Sequence, residues 1–279
     1  MAADTSRINW FPGHMATARK EIKKVMGKVH LVIEVLDARI PFSSENPLVS
    51  ELRRDRPVVQ ILNKSDLADP YITEQWLAVI NSRSGVKAIA HQQHQPKLAQ
   101  RLLSVVREMV PSKAPKRTVA MIMGIPNVGK STLVNALSGR TIAKTGNKPA
   151  VTQHQQRIQV GKDLALLDTP GFLWHKLTPR ECGYRLAVTG AISDRVVDAE
   201  DIAYFAARFL MDRHSDRLGS HYGLDEVPDR EDLLLEAIGR RRGLLRKGGV
   251  VDVERAAKIL LTDLRAGRLG PLSFESPGD

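Results

Sequence analysis

Residues Gly124-Ile125-Pro126-Asn127-Val128-Gly129-Lys130-Ser131 have the composition and spacing of a phosphate-binding loop. The apolar run Val119–Met123 precedes them, and Leu133 and Leu137 recur at helical spacing up to Gly139, so the loop joins a strand to a helix N-terminus. There Gly124, Asn127, Val128 and Gly129 turn backbone N–H groups onto phosphate oxygens, Lys130 reaches the β and γ oxygens, and the Ser131 hydroxyl coordinates Mg²⁺, with Thr132 beside it in the first turn. Downstream, Leu164–Leu167 runs into Asp168-Thr169-Pro170-Gly171. Asp168 is placed to hold Mg²⁺ through water, and the Gly171 N–H to meet the γ-phosphate. Thr152, in the polar loop between, suits a switch threonine whose hydroxyl completes the metal shell only while the γ-phosphate remains.

A phosphate loop does not choose a base. Asn63-Lys64-Ser65-Asp66, after the apolar run Val58–Leu62, resembles the Asn-Lys-x-Asp loop by which GTPases select guanine. An ionised Asp66 accepts hydrogen bonds from the guanine N1–H and exocyclic amine, whereas adenine offers neither donor and leaves the charge unpaired. Lys64 can lie over the ring, and Asn63 can tie this loop to the phosphate loop. GTP and GDP are therefore the expected ligands, with catalysis resting on Lys130, Thr152 and Gly171.

These residues need a framework that presents all of them on one edge. Leu31–Leu36, Val58–Leu62 and Val119–Met123 each end at a polar loop, as buried parallel strands do, and helical candidates at Gln75–Asn81 and Leu98–Val110 alternate with them. The fold class expected is α/β, a doubly wound P-loop GTPase domain. Asn63 precedes Gly124, the reverse of the common order, so the sheet is circularly permuted; ligand loops at the carboxyl ends of parallel strands survive such a cut. Beyond about residue 178 the pattern changes. Ile202, Phe205, Ala206, Phe209 and Leu210 share one helical face, as do Val253, Ala256, Ala257, Leu260, Leu261 and Leu264, with Asp252 to cap that helix and Gly267 to end it. Two domains are expected: 1–178, a permuted GTPase domain with an N-terminal extension, and 179–279, smaller and all helical.

Composition narrows the class. The 279 residues, 42% hydrophobic and 26% charged, can bury a core, and no apolar run is long enough to span a membrane. The single cysteine, Cys182, excludes an intramolecular disulfide and any cysteine-cluster zinc site, and the N-terminus lacks a secretory or transit signal, so a cytoplasmic protein is expected. The net charge of +11 is uneven: residues 1–178 hold 26 Lys and Arg against 13 Asp and Glu, residues 179–279 hold 16 against 18. A basic excess of this kind points to nucleic acid, since neutralising phosphates releases condensed counterions. No stretch has the broad apolar face of a membrane-lying helix. Arg240-Arg241-Arg242 with Arg246-Lys247 is either a phosphate contact or a solvated face.

The permuted order, with Trp10-Phe11-Pro12-Gly13-His14-Met15, Asp37-Ala38-Arg39-Ile40-Pro41, Asn46-Pro47 and Asp168-Thr169-Pro170-Gly171, closely resembles the ribosome-biogenesis GTPase A family, the YlqF-type permuted GTPases. The resemblance is dense from residue 8 to about 178. It implies GTP hydrolysis coupled to late maturation of the large ribosomal subunit, with that precursor and its ribosomal RNA as partners, no membrane, turnover stimulated by the particle, and a monomer away from it. It points to His14 as the group that positions water, because Phe172 stands where many GTPases carry glutamine after the switch glycine. It likens Asn127 to an asparagine that helps bind a monovalent cation, usually potassium. The purine-side loop has Ile89-Ala90-His91 where the family favours Ser-Ala, so Ala90 is the nearest base contact, and Ala150 replaces a glycine before Thr152.

The function expected is a GTP-switched assembly factor released on hydrolysis. Two rivals differ in class: a GTP-dependent binding module acting on transfer RNA, membrane or protein, and a small-molecule P-loop enzyme, against which Asn63–Asp66 argues.

Overall fold

The computed structural model describes residues 22–93, 95, 97–110, 117–139, 156–169, 171, 173–174, 177–194 and 196–278. The expectations placed on His14, Thr152, Ala150, Phe172 and the segment Trp10–Met15 lie outside these.

Among the described residues six strands form one sheet: β1 Leu31–Asp37, β2 Val58–Asn63, β3 Val86–His91, β4 Thr118–Gly124, β5 Gln156–Val160 and β6 Leu164–Asp168, in the order β3-β2-β1-β4-β6-β5. All neighbours are parallel except β5, which pairs antiparallel with β6 at the edge. Every residue of β1 and β2 is buried, as strands covered on both faces require. One face gathers Val32, Val58, Met121 and Met123 against Ile22 and Met26 of a helical segment at 22–26 and against Val49 and Leu52 of a short helix, Pro47–Arg53. Nearby, Leu36 and Leu62 pack with Trp76 and Ile80 of the helix Pro70–Asn81.

The helices begin and end for local reasons. Pro70–Asn81 starts earlier than its apolar residues suggest because Asp69 accepts from the Tyr71 and Ile72 N–H groups while Pro70 occupies the first turn. Leu98–Met109 buries Leu98, Leu102 and Val106, and Lys130–Ser138 stops at Gly139 in the left-handed conformation.

Two compact units emerge. One runs to Leu177 and regains the chain at Glu275–Asp279; the other is Thr178–Phe274. A division at 178/179 assigns the last residues to the helices instead. Within the first unit Glu275 is buried: its carboxylate accepts from Ser43 N at 2.9 Å and Ser43 Oγ at 2.7 Å, and its carbonyl accepts from Trp76 Nε1 at 3.2 Å. Polar groups so buried need partners, and each of these has one.

The second unit holds the helices Arg180–Val188, Ala199–Tyr222, Glu231–Arg241 and Val253–Arg265, and an antiparallel bridge between Leu245 and Val251. Ala199–Tyr222 is bent at His214, whose backbone leaves helical values. Asp252 caps the last helix through the Arg255 N–H, and that helix ends at Arg265, two residues short of Gly267. The basic run is largely tied to acids: Arg241 to Asp225, Arg242 to Asp263 and Arg246 to Asp252. Cys182 is buried. Among the described residues no helix is long and apolar enough to cross a membrane.

Candidate nucleotide site

The register of the sheet sets the site. Asp37 of β1 lies beside Asn63 of β2, Val35 beside Gly124 of β4, and Ile122 beside Asp168 of β6, so the carboxyl ends of four adjacent strands open onto one edge. The phosphate loop leaves β4 there. A Cβ on Gly124 would stand 2.7 Å from the Val35 carbonyl, which reserves that position for glycine. Asn127 and Gly129 both take positive φ, and Gly129 caps the helix that Lys130 begins.

Lys130 is 6% exposed, with Nζ 3.4 Å from Asp168 Oδ1. Burial lowers the proton affinity of its ammonium from the ordinary lysine range, and Asp168 opposes that shift. Asp168 is fully buried, and its other oxygen, Oδ2, has no hydrogen-bond partner among the described residues. An orphaned carboxylate oxygen near the helix that carries Ser131 is a hard oxygen donor of the type Mg²⁺ takes. No group of three or more His, Cys, Asp or Glu among the described residues could hold a metal. A nucleotide-bound Mg²⁺ needs no such group, because phosphate and water fill most of its shell. Thr132 is exposed in the same turn. Thr169 Oγ1 donates to the Ile122 carbonyl at 2.8 Å and fastens the end of β6 to β4. Gly171 then passes so close to the phosphate loop that a Cβ would sit 3.1 Å from the Pro126 N and Cα atoms.

The base-side loop is bound to the phosphate loop at two points. Asn63 Nδ2 donates to the Val128 carbonyl at 2.7 Å, and Lys64 Nζ donates to the Asn127 carbonyl at 2.9 Å. Lys64 has φ +59, which turns the chain sharply off β2 and leaves Asp66 on the surface. Ser65 N donates to the His91 carbonyl at 3.0 Å, which seats the loop on the end of β3. Ala90, expected in the purine-side loop, is instead the penultimate residue of β3, half-buried and paired with Leu62. Ladder pairing with β2 overrides the weak local pattern.

The structure thus brings together Asn63, Lys64, Asn127, Val128, Gly129, Lys130, Asp168 and Gly171. One pair there, Asp37 and Arg39, stands in the sequence only within a motif of the family resemblance and has no expected part in the site. Asp37, 2% exposed, accepts from Arg39 Nε at 2.9 Å, Arg39 Nη2 at 2.7 Å and Lys64 Nζ at 3.0 Å. Burial alone raises the pKa of a carboxyl, but the Arg39 and Lys64 charges and their hydrogen bonds hold Asp37 well below the usual carboxylate range. The available signal was an apolar strand, Leu31–Leu36, ending in a carboxylate with an arginine two residues on.

Comparison with known proteins agrees with this geometry. A family model described as 50S ribosome-binding GTPase matches residues 119–213, beginning at the strand that feeds the phosphate loop and leaving Asn63–Asp66 upstream. The chain is 40% identical to Ribosome biogenesis GTPase A of Bacillus pumilus, covering 97% of this chain and 99% of that one. It is 42% identical to the protein of the same name from Priestia megaterium, covering 98% of each. Among solved structures, GNP-bound YlqF from T. maritima superposes with a TM-score of 0.67 at 28% identity, covering 94% of this chain and 99% of that one. A GDP-bound YlqF superposes with a TM-score of 0.69 at the same identity, covering 93% and 100%.

Proposed function

This chain belongs to the ribosome biogenesis GTPase A family, and from that premise we propose that it is a GTP-switched factor acting in late maturation of the large ribosomal subunit. It is a circularly permuted GTPase that binds guanine nucleotide. The reading adds that the subunit precursor and its ribosomal RNA are the surface contacted, that the helical unit takes part in that contact, that the particle stimulates turnover, and that hydrolysis releases a monomeric, cytoplasmic protein.

The observation that carries the reading is the double attachment of Asn63 and Lys64 to the carbonyls of Val128 and Asn127. It supports one ligand held at both ends, the purine by Asp66 and Lys64 with Ala90 alongside, the phosphates by residues 127–132. Lys130 lies within reach of Asp168 in a buried setting, where its charge acts more strongly on a phosphate than it would in water. Ser131 and Asp168, with Thr152, are the residues that would hold Mg²⁺, which when bound neutralises charge on the β and γ oxygens. Asn127 is the residue that would take part in holding potassium. Gly171 and Thr152 would sense the γ-phosphate, and His14 would orient the water. The basic excess of residues 1–178 supports a polyanionic partner.

Sedimentation of cell extract with a non-hydrolysable GTP analogue tests the reading. Cofractionation with free large-subunit precursors is expected, lost with GDP and lost in Lys130→Ala, which removes the phosphate grip. Cofractionation with transfer RNA or membranes, or none in any nucleotide state, would overturn it.

A further inference from the structure

The sheet order places β1 between β2, which carries the base-side loop, and β4, which carries the phosphate loop. The last residue of β1, Asp37, therefore stands between the two loops, in register with Asn63. Of its four acceptor contacts, three come from Arg39 and one from Lys64. Oδ1 accepts from Arg39 N at 3.1 Å and Arg39 Nε at 2.9 Å; Oδ2 accepts from Arg39 Nη2 at 2.7 Å and from Lys64 Nζ at 3.0 Å. The planar guanidinium fixes the carboxylate in two directions, and the lone pair left on Oδ2 is aimed at Lys64. The strand end is braced further, because Asp37 N donates to Ser44 Oγ at 3.1 Å and that hydroxyl donates to the Pro41 carbonyl at 3.2 Å.

We propose that Asp37, clamped by Arg39, is a positioning residue for guanine binding: it holds the Lys64 ammonium against the Asn127 carbonyl, so that the lysine stem is laid out as a platform before the purine arrives. The inference rests on the guanine-site reading given above. Arg39 alone would satisfy a purely structural Asp37, and a buried ion pair by itself is a weak source of stability. What the second cation gains is order. A lysine side chain is flexible, and its terminus here is pinned at both the β1 end and the phosphate loop while 24% of the side chain stays exposed. Ordering that chain in advance removes a cost otherwise met on binding, which appears as affinity.

The test is isothermal titration with GDP, inosine diphosphate and ADP on unaltered protein, Asp37→Asn, Lys64→Met, the Asp37→Asn/Lys64→Met double variant and Asp37→Asn/Arg39→Gln. Lys64→Met keeps the apolar stem and removes the anchor. Each single variant is expected to bind GDP about tenfold more weakly, the loss of one ordered, charge-assisted contact. The double variant should be no weaker than Lys64→Met alone, because Asp37 acts through Lys64. The preference for GDP over inosine diphosphate, which lacks the exocyclic amine, should be unchanged in Asp37→Asn because Asp66 reads that amine. Asp37→Asn/Arg39→Gln removes the uncompensated arginine and should show the same loss of affinity with an unaltered melting midpoint. Losses that add in the Asp37/Lys64 double variant, unaltered affinity in Asp37→Asn, or a collapsed preference for GDP over inosine diphosphate would each overturn the proposal. Unaltered protein that binds ADP as tightly as GDP would overturn the guanine site itself, and that result is read before any variant is made.

Discussion

Gln60 Nε2 donates to Glu34 Oε2 at 2.9 Å in the interior of the sheet, where Glu34 is 2% exposed and also accepts from Asn46 N at 3.0 Å. The same amide donates to Glu45, itself held by Arg83. Two hydrogen bonds do not repay the burial of a charge, and the Glu34 carboxyl is pushed up to about 7.

Stability should therefore fall as pH rises through the weakly acid range. Below about 4.5, the ordinary value, folded and unfolded chains both keep the proton; between there and about 7 the unfolded chain releases it while the folded chain retains it. The difference favours unfolding by about 1.4 kcal/mol per pH unit, on the order of 3 kcal/mol across the interval, and levels off above it. Denaturant titrations of unaltered protein and Glu34→Gln at several pH values check this. The variant should lack that component of the pH slope, and parallel slopes would refute the assignment.

Asp66→Asn should exchange one base for another. In the proposed site the Asp66 carboxylate would accept two guanine donors; the amide that replaces it would donate to the C2 carbonyl of xanthine and leave a guanine donor unpaired. A loss of about 1–3 kcal/mol for GDP corresponds to roughly five- to 150-fold in affinity, with xanthosine diphosphate gaining. Competition titrations of the two diphosphates measure the exchange; an equal loss for both would mean that Asp66 does not face the base.

Gly239→Ala should destabilise the helical unit although alanine is the better helix former. A Cβ there would overlap Val251 Cγ1, and Val251 is buried and bridged to Leu245, so it has little room to withdraw. Overpacking costs about 1–3 kcal/mol, against a gain in helix propensity of about 1, so a net loss is expected. Thermal melting measures it, and pairing the change with Val251→Ala should recover much of the loss. A variant more stable than the parent would show that the contact yields.

The phosphate loop was legible in the sequence because its chemistry fixes both residue types and spacing, and Asn63–Asp66 became legible once paired with it. The helix Leu98–Met109 declared itself through its apolar period, and Lys130–Ser138 through its glycine stop. Two strands did not. β5, Gln-Arg-Ile-Gln-Val, is a short antiparallel edge whose polar residues carry no buried-strand signature. β3 alternates only weakly, with Lys87 and Ala88 part-exposed. Asp37 was visible as a family residue, but its bond to Lys64 depends on β1 lying between β2 and β4, and strand order is a property of the sheet that no local window contains.

The return of the chain at Glu275 makes the helical unit an insertion rather than an appendage. Cutting after Leu177 to isolate the catalytic half would amputate the carboxylate that satisfies Ser43 and the carbonyl that satisfies Trp76. A minimal catalytic fragment is better made by splicing residue 177 to residue 275 through a short linker.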